Sequence, residues 1–245
     1  MTTRIGVVVF PGTNCEHDVV RGLRIVAGTD GAAGPAGSAV EVELVWHGAD
    51  SVDGFDALVL PGGFAHGDYL RPGALARFSP VMGAVTRFAS DGGPVIGICN
   101  GFQVLTEAGL LPGALQKNSG LRFLCTTVPV EICTSRTPLT ATVTPGTVLR
   151  LPVNHFEGNY ICDAVTLERL RDEDRIVLRY AENPNGSIDD IAGICNVEGN
   201  VVGLMPHPER ACDALTGATD GVGLLRGLLA AASSGRSARS ALATA

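Results

Sequence analysis

The chain has 245 residues, enough for one large α/β unit or two small ones, and 45% of them are hydrophobic, enough for a substantial core. Its formal net charge of −7 argues against nucleic acid or an anionic membrane as partner, because both call for basic surface. The 7 cysteines include no C-x-x-C pair and no close spacing to histidine, which argues against a metal site or a disulfide framework and fits a reduced, cytoplasmic setting.

Residues 4–10 form a near-continuous apolar run, the pattern of a central strand buried on both faces. The N-terminus enters that strand directly, without the longer apolar core of a signal peptide, and no apolar run approaches a membrane span. Pro11-Gly-Thr-Asn14 predicts a turn capping a helix that carries Val19, Leu23 and Val26 on one face. Residues 30–39, rich in Gly, Ala and Pro, are expected to form a flexible surface insertion. Strands are predicted over 40–46 and 57–60, the second ending in Pro61-Gly62-Gly63. A helix over about 74–90, a strand over 95–98 and a helix to about Gly109 follow. This alternation calls for a parallel sheet with helices on both faces. From about 121 the pattern changes to short strands, over 123–133, 140–151, 175–180 and 191–204, with one helix near 163–171. They predict a smaller antiparallel section packed beside the parallel core. Lacking a clean linker, residues 1–232 read as one domain. A final helix over about 220–232 precedes a tail, 233–245, expected to be disordered.

The chemistry concentrates at Gly97-Ile-Cys-Asn-Gly-Phe-Gln103. Gly97 and Gly101 flank Cys99 symmetrically at a strand-to-helix joint, the thiol counterpart of the Gly-x-Ser-x-Gly nucleophile elbow. The turn is so tight that side chains two residues to either side would collide. The first N–H groups of the following helix favour a thiolate there. The alternative is a small buried core residue, the usual role of a free cysteine. Gly193-Ile-Cys-Asn196 repeats the tetrapeptide, but Val197 and the turn Glu198-Gly-Asn200 make it a hairpin strand, so Cys195 reads as structural. Gly62-Gly63 falls at another strand end, on the rim where parallel sheets bind ligands. Its bare N–H groups would suit a reacting carbonyl, or it is an ordinary loop.

A cysteine nucleophile needs a base. Of His17, His47, His66, His155 and His207, the last is framed as Met205-Pro-His-Pro-Glu209 after an apolar strand. Its two prolines restrict the backbone, and Glu209 two residues on falls on the same side, as an orienting carboxylate would. The alternative is a turn with a chance ion pair. The other histidines read as surface or polar-core, with His66 and His155 in loop contexts that would suit the neighbourhood of a site. No G-x-x-x-x-G-K-[ST] and no G-x-G-x-x-G is present, so the chain has no recognisable nucleotide site.

Together, Gly97-Ile-Cys-Asn-Gly-Phe-Gln103 and Pro206-His-Pro-Glu209 resemble the class I, triad-type glutamine amidotransferases, which have a flavodoxin-like parallel sheet. Pro11-Gly-Thr-Asn-Cys15, Pro61-Gly-Gly-Phe64, Gly67-Asp-Tyr-Leu-Arg71 and Ala192-Gly193 narrow the resemblance to the glutaminase subunits of phosphoribosylformylglycinamidine synthase, over residues 4 to 230. The resemblance implies that Cys99 attacks the side-chain amide of L-glutamine to form a thioester, with His207 as proton carrier and Glu209 holding it. N–H groups around Gly63 and Asn100 would form the oxyanion hole, and Gln103 and the Gly62-Gly63 loop would hold glutamine. It further implies ammonia transfer to a large synthetase subunit, often with a small bridging subunit. ATP and Mg²⁺ would bind that synthetase, leaving this chain with no cofactor. Pro72 and Phe156 depart from the family pattern, and residues 31–38 look inserted. A peptidase- or deglycase-like cysteine hydrolase is the competing enzyme class, but those proteins usually bring a histidine close behind the cysteine, where this chain has Asn100. A γ-glutamyl hydrolase would share the triad but usually carries a targeting segment. A catalytically silent regulatory subunit is the non-enzyme alternative.

Overall fold

The computed structural model describes residues 2–28, 40–63 and 72–242. The expected insertion at 30–39, His66 and the Gly67–Arg71 motif lie outside them. The apolar runs become strands β1 (Thr3–Val9), β2 (Val40–Trp46), β3 (Ala57–Leu60) and β4 (Val95–Ile98). Consecutive residues such as Val7 and Val8, or Leu58 and Val59, point to opposite faces of a strand, and all four are essentially inaccessible. Both faces of the sheet are therefore covered at β1, β3 and β4, which explains their near-continuous apolar runs, whereas β2 lies at the sheet edge and interleaves valines with exposed Glu41 and Glu43.

Helix α1 (Glu16–Ala27) follows β1 and ends at Gly28, whose φ of 72° closes it in the left-handed conformation. Its N-cap is Cys15, with no capping side-chain bond, so the cap expected from Asn14 is displaced by one residue. The helix predicted over 74–90 divides into α2 (Pro72–Ala76) and α3 (Pro80–Ser90). The cause is Pro80, which takes the first helical position and holds Ser79 extended. Helix α4 (Asn100–Glu107) then starts immediately after Cys99.

The second half adds β5 (Ala114–Lys117), β6 (Leu124–Ile132), β7 (Val148–His155), β8 (Glu157–Ile161), α5 (Ala164–Asp172), β9 (Ile176–Tyr180), β10 (Ile191–Cys195) and β11 (Val201–Leu204). Residues 140–147, read as the start of a strand, instead make turns leading into β7. Strands β5 and β8 were not anticipated; they form a separate two-stranded antiparallel sheet. The large sheet runs β2-β1-β3-β4-β11-β10-β9-β6-β7. Its first five strands are parallel, and β10, β9, β6 and β7 continue it antiparallel. The antiparallel section is thus mostly an extension of the parallel sheet rather than a layer packed beside it.

Helix α6 (Val222–Leu242) overruns its predicted end at 232, so the stretch expected to be disordered is helical through residue 242. Ala232 is fully buried, and Ser233 bonds Thr3 of β1 at 3.0 Å, which holds the helix past that point. The helices flank the sheet, with α1 and α6 against β1 and each other, and α4 against β3, β4 and β11.

Candidate active site

Three neighbouring parallel strands deliver the site. β11 lies beside β4 in register, Gly203 opposite Gly97, and β3 lies on the other side of β4. Chain leaving their carboxyl ends carries Gly62 from β3, Cys99 from β4 and His207 from β11. Such ends form the ligand-binding rim of parallel sheets.

Cys99 has φ 50° and ψ −105°, a strained conformation for a residue with a side chain, at the N-terminus of α4. The strain is enforced from both sides. A Cβ at Gly97 would lie 2.7 Å from the backbone of Gly101, and one at Gly101 only 2.0 Å from the Leu60 carbonyl oxygen. Any side chain at either position would push helix and strand apart. The Cys99 N–H donates to Leu204 O of β11 at 2.8 Å, and the thiol donates to Asn154 O of β7 at 3.7 Å.

His207 and Glu209 are 1% and 4% exposed and meet at 2.5 Å between Nδ1 and Oε1. The two prolines act as expected: Pro208 opens a short 3-10 turn, Pro208–Arg210, that brings Glu209 back onto the ring. The His207 N–H also bonds Pro152 O, tying the turn to β7. Burial alone would lower the imidazole pKa, but the Glu209 carboxylate and the Cys99 thiol outweigh it, so His207 is held above its ordinary value. With Nδ1 on Glu209, Nε2 has no hydrogen-bond partner among the described residues and is available to exchange a proton. Behind the turn, Arg210 bonds Asp18 of α1 at 3.0 Å and Cys15 Sγ at 3.1 Å.

Gly62 sits against both members of the pair. A Cβ there would come within 2.6 Å of His207 Cε1 and 3.2 Å of Cys99 Cβ. Gly63 instead pairs with Thr13 in an isolated bridge, and Gly62 O accepts from the Cys15 N–H, so the two rim loops brace each other. Asn100 and Gln103 bond one another at 2.8 Å, and the Gln103 amide donates to Glu157 O of β8 at 2.7 Å. The Gln103 side chain is therefore engaged at both ends, fastening the small sheet to the elbow helix. An apolar cavity of about 240 Å³ opens beside α4, lined by Phe10, Pro61, His47 and Asn100 among others.

His155 was left unassigned by sequence, and the fold brings it next to the pair, electrostatically coupled to His207. The signal was present in Asn154-His-Phe-Glu-Gly158, where Asn154 O faces the Cys99 thiol. Phe156, the departure noted above, packs its ring 5.7 Å from the Lys117 ammonium. Cys195 is fully buried in β10, and burial pushes its thiol up to about 11, as suits a structural cysteine. Among the described residues, no group of three or more His, Cys, Asp or Glu side chains is arranged to hold a metal, and no helix is long and apolar enough to cross a membrane.

A cysteine elbow and a buried histidine–carboxylate pair thus stand at the carboxyl ends of adjacent parallel strands, and the chain belongs to the CobB/CobQ-like glutamine amidotransferase domain family, whose model matches residues 2–220. More particularly, it is 56% identical to phosphoribosylformylglycinamidine synthase subunit PurQ of Rubrobacter xylanophilus, over 94% of this chain and 99% of that protein. It is 54% identical to the subunit of the same name from Parasynechococcus marenigrum, over 92% and 99%. A chain in the structure of PurLQS from Thermotoga maritima superimposes with a TM-score of 0.81 at 39% identity, covering 94% of this chain and 98% of that one.

Proposed function

We propose that this chain is the glutaminase subunit of a phosphoribosylformylglycinamidine synthase. It hydrolyses L-glutamine and delivers the ammonia to a separate synthetase subunit, which uses it to convert formylglycinamide ribonucleotide to formylglycinamidine ribonucleotide in purine biosynthesis. The observation that carries this reading is the meeting of Cys99, His207 and Glu209 at the ends of β4 and β11. The extensive identity to the PurQ subunits supports the choice of synthase.

In this mechanism His207 Nε2 takes the Cys99 thiol proton as Sγ attacks the glutamine side-chain amide carbon. The carbonyl oxygen becomes an oxyanion facing the Gly63 and Asn100 N–H groups, each such donor contributing about 3–4 kcal/mol in the transition state. His207 returns the proton to the nitrogen as the C–N bond breaks, and ammonia departs from a glutamyl thioester. Water then attacks the thioester with His207 as base, releasing glutamate and the thiol. Glu209 fixes the ring and stabilises the imidazolium at both steps. Gly62 gives the ring its space, and Gln103 keeps α4 and β8 in place around glutamine. The chain itself needs no cofactor, ATP and Mg²⁺ serving the synthetase, and a small third subunit bridges the two. The unpaired cysteines suit a cytoplasmic setting.

The test is labelling with a glutamine-mimicking electrophile, followed by mass-spectrometric mapping of all 7 cysteines, with and without the synthetase. Selective modification of Cys99, blocked by excess glutamine and sparing Cys195, is expected. If no cysteine is selectively labelled in either condition, the chain is a silent subunit or acts on another substrate.

A further inference from the structure

Strand β7 is the last of the large sheet, so among the described residues one of its edges has no partner strand. An unpaired edge leaves a row of backbone carbonyls to be satisfied by other groups. Carbonyls two residues apart point to the same side of a strand, and on β7 two such carbonyls meet the catalytic pair. Pro152 O accepts from the His207 N–H at 2.8 Å, and Asn154 O accepts from the Cys99 thiol at 3.7 Å. Proline suits position 152, having no N–H to leave unpaired at an edge.

The chain then crosses to β8 of the small sheet, and every carbonyl of the crossing is held. His155 O accepts from Asn118 Nδ2 at 3.0 Å, and Phe156 O from the Asn118 N–H at 2.9 Å. Glu157 O accepts from Gln103 Nε2 at 2.7 Å, and Gly158 O from Asn185 Nδ2 at 2.8 Å. Asn118 does the most. It is 1% exposed, its Oδ1 lies 3.0 Å from His155 Nδ1, and its second amide hydrogen goes to Arg122 O at 2.9 Å. Gly158 closes the other side of the His155 ring, where a Cβ would come within 2.3 Å of Cε1 and Nδ1. The peptide that carries Asn154 O cannot turn away from Cys99 without breaking the bonds to Asn118.

Taking Cys99 as the nucleophile of the glutaminase reading, we propose that Asn118 is a positioning residue for it: by fixing the end of β7, it holds Asn154 O as the acceptor of the thiol hydrogen in the resting site. A thiol has one hydrogen, so while that hydrogen points at Asn154 O it is not shared with His207 Nε2. A thiolate in the same place would face the negative end of a carbonyl dipole. Cys99 therefore rests as the neutral thiol. The reaction begins with a turn of the S–H bond about Cβ–Sγ, from Asn154 O to Nε2, and no backbone has to move. Held this way, the nucleophile is slow toward electrophiles that arrive without glutamine.

The S–H stretch of Cys99 reads this directly. It is obtained from the full chain as the infrared difference between wild-type and Cys99→Ala, in which the other cysteines cancel. The wild-type band is expected at lower frequency than that of a thiol in apolar solvent, because its hydrogen is donated. Asn118→Asp puts a carboxylate against His155 O and Arg122 O where the amide donated, and Gly158→Ala presses on the His155 ring. In both, each against its own Cys99→Ala background, the band is expected to move up in frequency and iodoacetamide to alkylate Cys99 about threefold faster. No Cys99 S–H band in wild-type, or one at the free frequency, overturns the proposal before any variant is made. A wild-type band that Asn118→Asp leaves unmoved overturns it too, even with faster alkylation, and makes Asn118 a structural support only. None of these measurements uses glutamine, so failure of the glutaminase reading shows separately, as absence of labelling by the glutamine-mimicking electrophile.

Discussion

At the scale of single residues, the site depends on atoms that are missing as much as on those present. Gly62 has no chemistry of its own, yet His207 Cε1 occupies the space where its Cβ would be. Gly62→Ala is therefore expected to push the ring off Cys99 while the buried core is untouched. Misplacement of this kind costs on the order of 100-fold in rate. Glutamine hydrolysis by the complex should fall by that factor with the thermal midpoint little changed, and full retention of activity would show that the ring has room to move. The nucleophile's elbow was legible in the spacing Gly97-x-Cys99-x-Gly101, because that tight turn admits few sequences. The part played by Gly62 was not, since the clash involves a residue 145 positions away that only folding brings near. His155 was legible only as a residue suited to the neighbourhood of the site; the Asn118 contact that fixes its ring comes from 37 positions away.

At the scale of elements, the helix carrying the elbow is seated by another close approach. A Cβ on Gly203 of β11 would lie 2.1 Å from the Phe102 ring, and that ring is fully buried against Tyr160 at 5.9 Å between centroids. Gly203→Ala forces α4 away from the sheet, and overpacking of this kind costs about 1–3 kcal/mol. A lowered thermal midpoint together with slower Cys99 labelling is the expected result; a fall in stability alone would mean that α4 shifts without moving the thiol. Strands β1, β3 and β4 were readable because burial on both faces makes them near-continuously apolar, and edge strand β2 because Val40-Glu-Val-Glu43 alternates. Strands β5 and β8 were missed for the opposite reason. Ala114-Leu-Gln-Lys117 and Glu157-Gly-Asn-Tyr-Ile161 are short and partly polar, and Gly158 and Asn159 read as turn formers. They hold as strands because they pair with each other and because Gln103 and Asn118 fasten them to the rest.

At the scale of the whole molecule, the chain carries the ammonia-forming half of a divided reaction. Cys99→Ala is expected to abolish glutamine-dependent synthesis by the complex and leave ammonia-dependent synthesis intact, since only the supply of ammonia is lost. Loss of both in an assembled complex would refute the division. The sequence by itself determined the alternating βα core, the candidate nucleophile and base, and the resemblance to glutamine amidotransferases. Those features rest on local rules: periodicity, tight-turn glycines, prolines that set a backbone direction. Only the tertiary structure decided that β11 inserts parallel to β4 while its hairpin partner β10 turns the sheet antiparallel. That pairing joins segments about a hundred residues apart, so no local pattern encodes it. It nevertheless sets Cys99 and His207 at the ends of adjacent strands, with Gly62 beside both.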